Sequence, residues 1–166
     1  GQANHDEGMV RLPKTLAARM NVVNRACSQE QYEAGDCERA RVGTARVVTP
    51  ILRDPLQGPA YLVRAPGRAL PNLVVQLRGQ VAVDLVGKVT IPRSLQLETR
   101  FQGLPDIAVS RFELNLTGGS KSPLAVARNL CTKASRRAAA QLEFAGQNGI
   151  VARRAQRLQI AGCAKR

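Results

Sequence analysis

At 166 residues the chain fits one domain, and a domain of about 150 residues buries close to 70% of its unfolded surface, so a core can form without metal or cofactor. The formal charge is +13 and the aromatic residues are only Tyr32, Tyr61, Phe101, Phe112 and Phe144, so the core must be built from Val, Leu, Ile and Ala, a mix that suits strands. No apolar run approaches the roughly 18 residues of a membrane-spanning helix, and residues 1–20 lack the charged, apolar and small-residue segments of a signal peptide.

Gly1 and the polar QANHDEG after it read as an exposed arm, or as a cloning remnant ahead of a mature N-terminus. Residues 1–8 are therefore set apart from the fold, and the missing signal leaves export open. MVRLP at 9–13 alternates as a short strand, and 14–25 places Leu16, Met20 and Val23 at helical spacing. Ser28 and Gln31 form an S-x-x-Q capping box, with Gly35 placed to end the short helix that the cap starts. From Arg41 onward, β-branched runs are separated by Gly and Pro about every 8 to 12 residues, the spacing of a sandwich or barrel. These runs predict strands near 42–49, 60–64, 72–78, 81–91, 95–102, 107–116, 137–145, 149–153 and 157–161. Gly79-Gln80 and Asn148-Gly149 read as two-residue hairpin turns, and Gly87 inside the longest run as a bulge or a close approach. Ser122-Pro123 offers a cap and a first residue for a short helix over 123–130, with a loop as the alternative. Leu70-Pro71-Asn72 recurs as Leu104-Pro105-Asp106, either one strand-starting device used twice or a duplicated hairpin. The fold expected is mainly β: an antiparallel β-sandwich with one or two short helices, in a single disulfide-stapled domain over 9–166.

The four cysteines, Cys27, Cys37, Cys131 and Cys163, form no C-x-x-C unit, and the one histidine, His5, lies in the polar arm. Structural zinc uses close cysteine pairs or histidines at short spacing, and a reactive thiol is favoured by the paired motif, so neither a metal site nor a redox pair is expected. The simplest reading is two disulfides, Cys27 with Cys37 and Cys131 with Cys163, local pairing being preferred among the three possible connectivities. Each would stabilise by roughly 3 to 4 kcal/mol in the chain-entropy model, the second more because its loop is longer. Disulfides persist in oxidising compartments, so this pairing implies an extracellular or cell-surface location; free buried thiols in a cytosolic protein are the alternative.

Basic character grows along the chain: four basic and six acidic residues over 1–38, ten and four over 39–106, eleven and two over 107–166. One reading is an anion-binding face for nucleic acid, acidic polysaccharide or phospholipid headgroups; the other is a solvated surface rich in Arg, which supplies 20 of the 25 basic residues. Arg136, Arg137, Arg153, Arg154 and Arg157 are the candidate anion contacts, because a hairpin centred on Asn148-Gly149 brings its two arms side by side. Base stacking needs aromatics among the basic residues, and only Phe144 lies there, so sequence-specific nucleic-acid reading is not expected.

Catalytic patterns are weak. A Ser-His-Asp or Cys-His set would have to use His5. Asp84, Glu98, Asp106 and Glu113 lie on or beside predicted strands and could pair as glycosidase carboxylates, but outward-facing partners for the many arginines is the preferred reading. Gly118-Gly119-Ser120-Lys121 lacks the leading Gly of a phosphate loop and reads as a hairpin loop, and Asn115-Leu116-Thr117 fits the N-x-T acceptor pattern inside a strand. No catalytic residue, metal or cofactor is assigned, and a non-enzymatic protein is expected.

RVGTARVVTPILRDPLQGPAYLV, LPNLVVQLRGQVAVDLVGKVTI, LPDIAVSRFELNLTGGSKSPL, Asn129-Leu130-Cys131, GQNG and Gly162-Cys163 occur in this order. Taken together, over roughly residues 37 to 163, they resemble an uncharacterised module of large secreted actinobacterial proteins. The resemblance implies an exported, largely β module cut from a longer surface protein, and it supplies no catalytic residue. Members often have Cys-Pro before the first core strand where this chain has Cys37-Glu38, a departure that bears on local turn rigidity. The functional expectation is a structural or adhesive module of the cell envelope; the alternative is a binding module for an acidic glycan, a teichoic-acid-like polymer or nucleic acid. The partners expected are a polyanionic envelope polymer or neighbouring modules of the same parent chain.

Overall fold

The computed structural model describes residues 5–104, 108–146 and 148–164. Strand β1 (His5–Arg11) is followed by β2 (Leu16–Ala18) and two short helices, α1 (Met20–Val23) and α2 (Gln29–Glu33). Six strands come next: β3 (Arg41–Val48), β4 (Leu56–Val63), β5 (Asn72–Arg78), β6 (Ala82–Thr90), β7 (Glu98–Gln102) and β8 (Arg111–Leu116). The chain closes with β9 (Leu124–Val126), α3 (Lys133–Arg137), β10 (Ala139–Gly146) and β11 (Val151–Arg157). Nine strands make one large curled antiparallel sheet in the order β11-β10-β1-β7-β6-β5-β4-β3-β8, and β2 pairs with β9 in a separate ribbon. The mainly β, antiparallel expectation is met. The nine strands join through one continuous ladder, so what the strand order shows is a single large curled sheet, coarser than the sandwich expected.

Alternation with period two builds the core. Ala45 and Val47 of β3, Leu56, Ala60 and Leu62 of β4, and Leu73, Val75 and Leu77 of β5 share one face, and Val22 and Val23 of α1 pack on it. The other face of β4 and β5 is also covered: Val63 and Val74 are buried with Ala40, Cys27 and Cys37. Double coverage explains why YLV and LVV read as continuous apolar runs rather than alternating ones.

Several expectations change. Residues 5–8 are not an exposed arm: β1 begins at His5 and lies between β10 and β7, with Gly8 in register with both Phe144 and Phe101. A Cβ at Gly8 would lie 3.6 Å from the Phe144 ring, an ordinary contact, so the polar-looking segment enters the sheet through its backbone pairing with both neighbours. The helix expected over 14–25 shrinks to α1, and the one over 123–130 is absent; Leu16–Ala18 and Leu124–Val126 pair with each other instead. Arg19 N–H donates to the Pro123 carbonyl at 2.8 Å and Ala127 N–H to that of Thr15 at 2.8 Å, so long-range ladder bonds override helical spacing. The strand expected at 137–145 is β10, beginning two residues later because Arg137 still belongs to α3, which the Thr132 side chain caps; the strand expected at 149–153 is β11, which starts at Val151 and runs on to Arg157, and 158–161 is not strand.

Other details hold. The Ser28–Gln31 capping box is reciprocal and Gly35 closes the helix at φ +75°. Asn148-Gly149 lies in the β10–β11 hairpin connection, which is longer than the two residues expected because the last paired residues are Ala145 and Val151; Gly149 is at φ +76° and Asn148 Oδ1 accepts from Ile150 N–H. The β5–β6 turn spans 79–81, one residue longer than expected. At Gly87 the close neighbour is the Phe101 ring, 2.7 Å from where a Cβ would lie. Pro105, Asp106 and Ile107, which carry the second copy of the internal echo, lie outside the described residues.

Candidate functional site

Both disulfides form as the spacing suggested, Cys27–Cys37 and Cys131–Cys163, each with Cα atoms 5.6 Å apart, and no described cysteine is free. The first holds a short excursion carrying α2 against the sheet. Cys27 N–H donates to the Leu62 carbonyl at 3.0 Å and Arg64 N–H to that of Cys27 at 2.8 Å, so the bridge is laced to the end of β4. The excursion is fixed again farther out, where Tyr32 Oη donates to Asp84 Oδ2 at 2.7 Å.

Between this excursion and the β3–β8 edge runs an open groove of about 1440 Å³. Its floor includes Val22, Ala26, Ala40 and the buried disulfide; its walls bring Arg25, Arg39, Arg41, Arg64 and Lys121 together against only two acidic residues, Asp36 and Glu38. Only Arg41 of these five cations has an ion pair among the described residues, at 3.6 Å to Glu38. The other four face solvent with uncompensated charge. Sequence reading did not select these residues. A signal was available: Arg25 precedes Cys27, and Arg39 and Arg41 follow Cys37, so a local disulfide necessarily gathers them. Arg64 and Lys121 join only through the β-ladder.

The five arginines selected from sequence divide. Arg136 and Arg137 end α3, and Arg157 is close to them because Ala139 pairs with Arg157. Arg153 is bound to Glu143 at 3.2 Å, and Arg154 points to the opposite face of β11 from Arg153 and Arg157. All seven residues of β11 are exposed, and the strand is an edge of the sheet. Arginines on such an edge also discourage pairing with another chain.

The carboxylates are engaged by cations. Asp84 takes the Tyr32 hydroxyl and, at 2.6 Å, Arg78. Glu113 is 2.6 Å from Arg111. Glu98, only 5% exposed, accepts from Arg11 at 2.9 Å and from Arg100 at 2.7 Å, and Arg100 reaches on to Glu7 at 2.9 Å. Burial pushes the Glu98 carboxyl up, but the hydrogen bonds and charges of Arg11 and Arg100 outweigh it and hold it below the usual 4.5. Arg100 is held protonated above its ordinary range, first by its hydrogen bond to Glu7. Asp106 lies outside the described residues, as does the His5 side chain. No group of three or more His, Cys, Asp or Glu side chains that could hold a metal occurs among the described residues. Gly119–Lys121 is a single 3-10 turn rather than a hairpin loop, and Asn115 is exposed on edge strand β8. No helix among the described residues is long and apolar enough to cross a membrane.

No protein-family model matches the chain, no curated protein matches it, and no solved structure matches its fold.

Proposed function

We propose that this chain is an exported, non-enzymatic adhesive module of the cell envelope that holds an anionic polymer in the groove beside Cys27–Cys37. The observation that carries the reading is the groove's five cations against two carboxylates, above an apolar floor. Clustered cations release counterions when they meet a polyanion, which supplies affinity without base- or sugar-specific contacts. Two disulfides support an oxidising compartment. The sequence resemblance to secreted actinobacterial modules points the same way. Work by binding rather than catalysis fits the engagement of Asp84, Glu98 and Glu113 in ion pairs.

The test is a salt titration of the disulfide-intact protein on heparin, a poly(glycerol phosphate) and a neutral glycan. Two quadruple variants are compared with the parent: Arg25→Gln/Arg39→Gln/Arg64→Gln/Lys121→Gln in the groove, and Arg136→Gln/Arg137→Gln/Arg154→Gln/Arg157→Gln on the arm. Each removes four charges, so net charge alone cannot distinguish them. The groove variant is expected to lose at least about tenfold in affinity and to show the shallower salt slope, with the arm variant near the parent. Equal losses would mean that general charge binds the polymer. No retention of the parent at about 0.15 M salt, where exposed charges are largely screened, would leave a purely structural module.

A further inference from the structure

A second, smaller pocket of about 360 Å³ lies on another part of the molecule, where the chain leaving β1 meets the segment around α3. Lys14, Thr15, Arg128, Asn129, Thr132 and Ser135 line it, and no carboxylate does so among the described residues. Thr15 is 93% buried by its 7% exposure, yet its Oγ1 has no hydrogen-bond partner among the described residues. An orphaned hydroxyl in a native interior calls for a partner that the protein itself does not supply.

The remaining chemistry of the pocket is one-sided. Its acceptors are engaged: Asn129 Oδ1 takes the Cys131 N–H at 2.9 Å, the Asn129 carbonyl takes the Ser135 hydroxyl at 2.7 Å, and Thr132 Oγ1 takes the Ser135 N–H at 3.2 Å. What is left are donors: the Lys14 ammonium and the Arg128 guanidinium, neither in an ion pair among the described residues, the Asn129 amide N–H₂ and the Thr15 hydroxyl. Two positive charges and further donors, with no carboxylate among the described lining residues, favour a ligand with several anionic oxygens. The volume exceeds that of a bare ion, so there is room for a small organic residue on the oxyanion.

We propose that this pocket seats a tetrahedral oxyanion, a phosphate or sulfate group, with Lys14 and Arg128 supplying charge and the Thr15 hydroxyl one of the fixed hydrogen bonds. Thr15 lines the pocket while its Oγ1 is buried, so the assignment requires a side-chain rotation on binding to bring the hydroxyl to the ligand. The site shares no residue with the basic groove and stands independently of polymer binding there.

The experiment is an amide NMR titration of the intact, disulfide-bonded protein with inorganic phosphate, inorganic sulfate and glycerol 3-phosphate, at constant ionic strength set by chloride. Saturable shifts confined to Thr15, Arg128, Asn129 and Ser135 are expected with at least one of the three. Lys14→Gln/Arg128→Gln changes two exposed side chains and should weaken binding by about tenfold or more without disturbing the fold. Thr15→Val removes only the hydroxyl and should weaken binding severalfold while leaving the thermal midpoint unchanged or higher, which a purely structural Thr15 would not do. Tighter binding of glycerol 3-phosphate than of phosphate would identify an ester as the source, and equal binding the free ion. Absence of saturable shifts with all three ions, or saturable shifts unchanged in both variants, would overturn the assignment.

Discussion

The Tyr32 hydroxyl donates to Asp84 Oδ2 at 2.7 Å, joining the helix inside the first disulfide loop to the middle strand β6. The Tyr32 ring meets Tyr61 edge-on at 6.1 Å, and Arg78 holds the other oxygen of Asp84. Losing the phenol proton would place a second anion beside Asp84 in a partly buried site. Burial first, then the Asp84 hydrogen bond, push the Tyr32 pKa from 10 up to about 12. A folded-state pKa above the unfolded one contributes stability that is complete below about pH 10 and is lost as pH rises toward 12. In Tyr61→Phe the only tyrosine left is Tyr32, so phenolate absorbance reports it alone. Its midpoint should fall near 12 or coincide with unfolding; a midpoint near 10 in folded protein would mean that the contact does not form in solution. Tyr32→Phe should cost about 1 kcal/mol in urea unfolding.

Glu98 predicts the opposite pH dependence. Its folded pKa is depressed below 4.5, so the stability it contributes is present above the unfolded value and is lost as pH falls through the folded one. Glu98→Gln keeps the shape and removes the charge shared by Arg11 and Arg100. Charged hydrogen bonds are worth roughly 1.5 to 3 kcal/mol each, but the arginines are about a third exposed, so the net cost at pH 7 is about 1 to 2 kcal/mol. Urea midpoints of parent and variant should converge well below pH 4.5. A gap that persists in acid would assign the loss to packing instead.

Local chemistry made part of this molecule legible and nonlocal pairing hid the rest. The Ser28–Gln31 box, Gly35 and Asn148-Gly149 were readable because each depends on a few adjacent residues. The disulfides were readable from spacing. Helical spacing at Leu16, Met20 and Val23 misled because Leu16–Ala18 finds its ladder partner more than a hundred residues away, at Leu124–Val126. HDEG was set aside for its polarity, although a strand inside a sheet tolerates polar residues where Glu7 meets Arg100 and Gly8 lies beside the Phe144 ring. Of the site, the arginines flanking Cys27 and Cys37 could be read from sequence, but Arg64, Lys121 and the Thr15 pocket depend on how distant segments meet.

Two glycines predict different penalties for the same added methyl. At Gly87 the obstacles are the Phe101 ring and the Thr99 methyl, side-chain atoms that can shift, so Gly87→Ala should cost about 1 to 3 kcal/mol. At Gly58 the obstacle is the Gln76 carbonyl oxygen on the adjacent strand, which cannot move without disturbing the β4–β5 ladder. Gly58→Ala should therefore be the more destabilising in thermal denaturation, and the reverse order would place the close approach elsewhere.

The two disulfides should fail in different ways. Chain entropy alone assigns about 3 kcal/mol to the bridge of separation 10 and about 4 kcal/mol to that of separation 32. Cys27 and Cys37 are also 6% and 4% exposed and pack with Val63 and Val74, so Cys27→Ala/Cys37→Ala loses core contacts as well and should lower the global unfolding midpoint. Cys131–Cys163 instead closes the loop that holds α3, β10 and β11, and β11 has exposed residues throughout and a strand neighbour on one side only. Its loss should release that edge locally before the rest unfolds. Under native conditions, trypsin should cut Cys131→Ala/Cys163→Ala first after Arg153, Arg154 or Arg157, with the remaining sheet still folded. First cuts after Arg25, Arg39 or Arg64 would mean that the bridge supports the whole sheet rather than its edge.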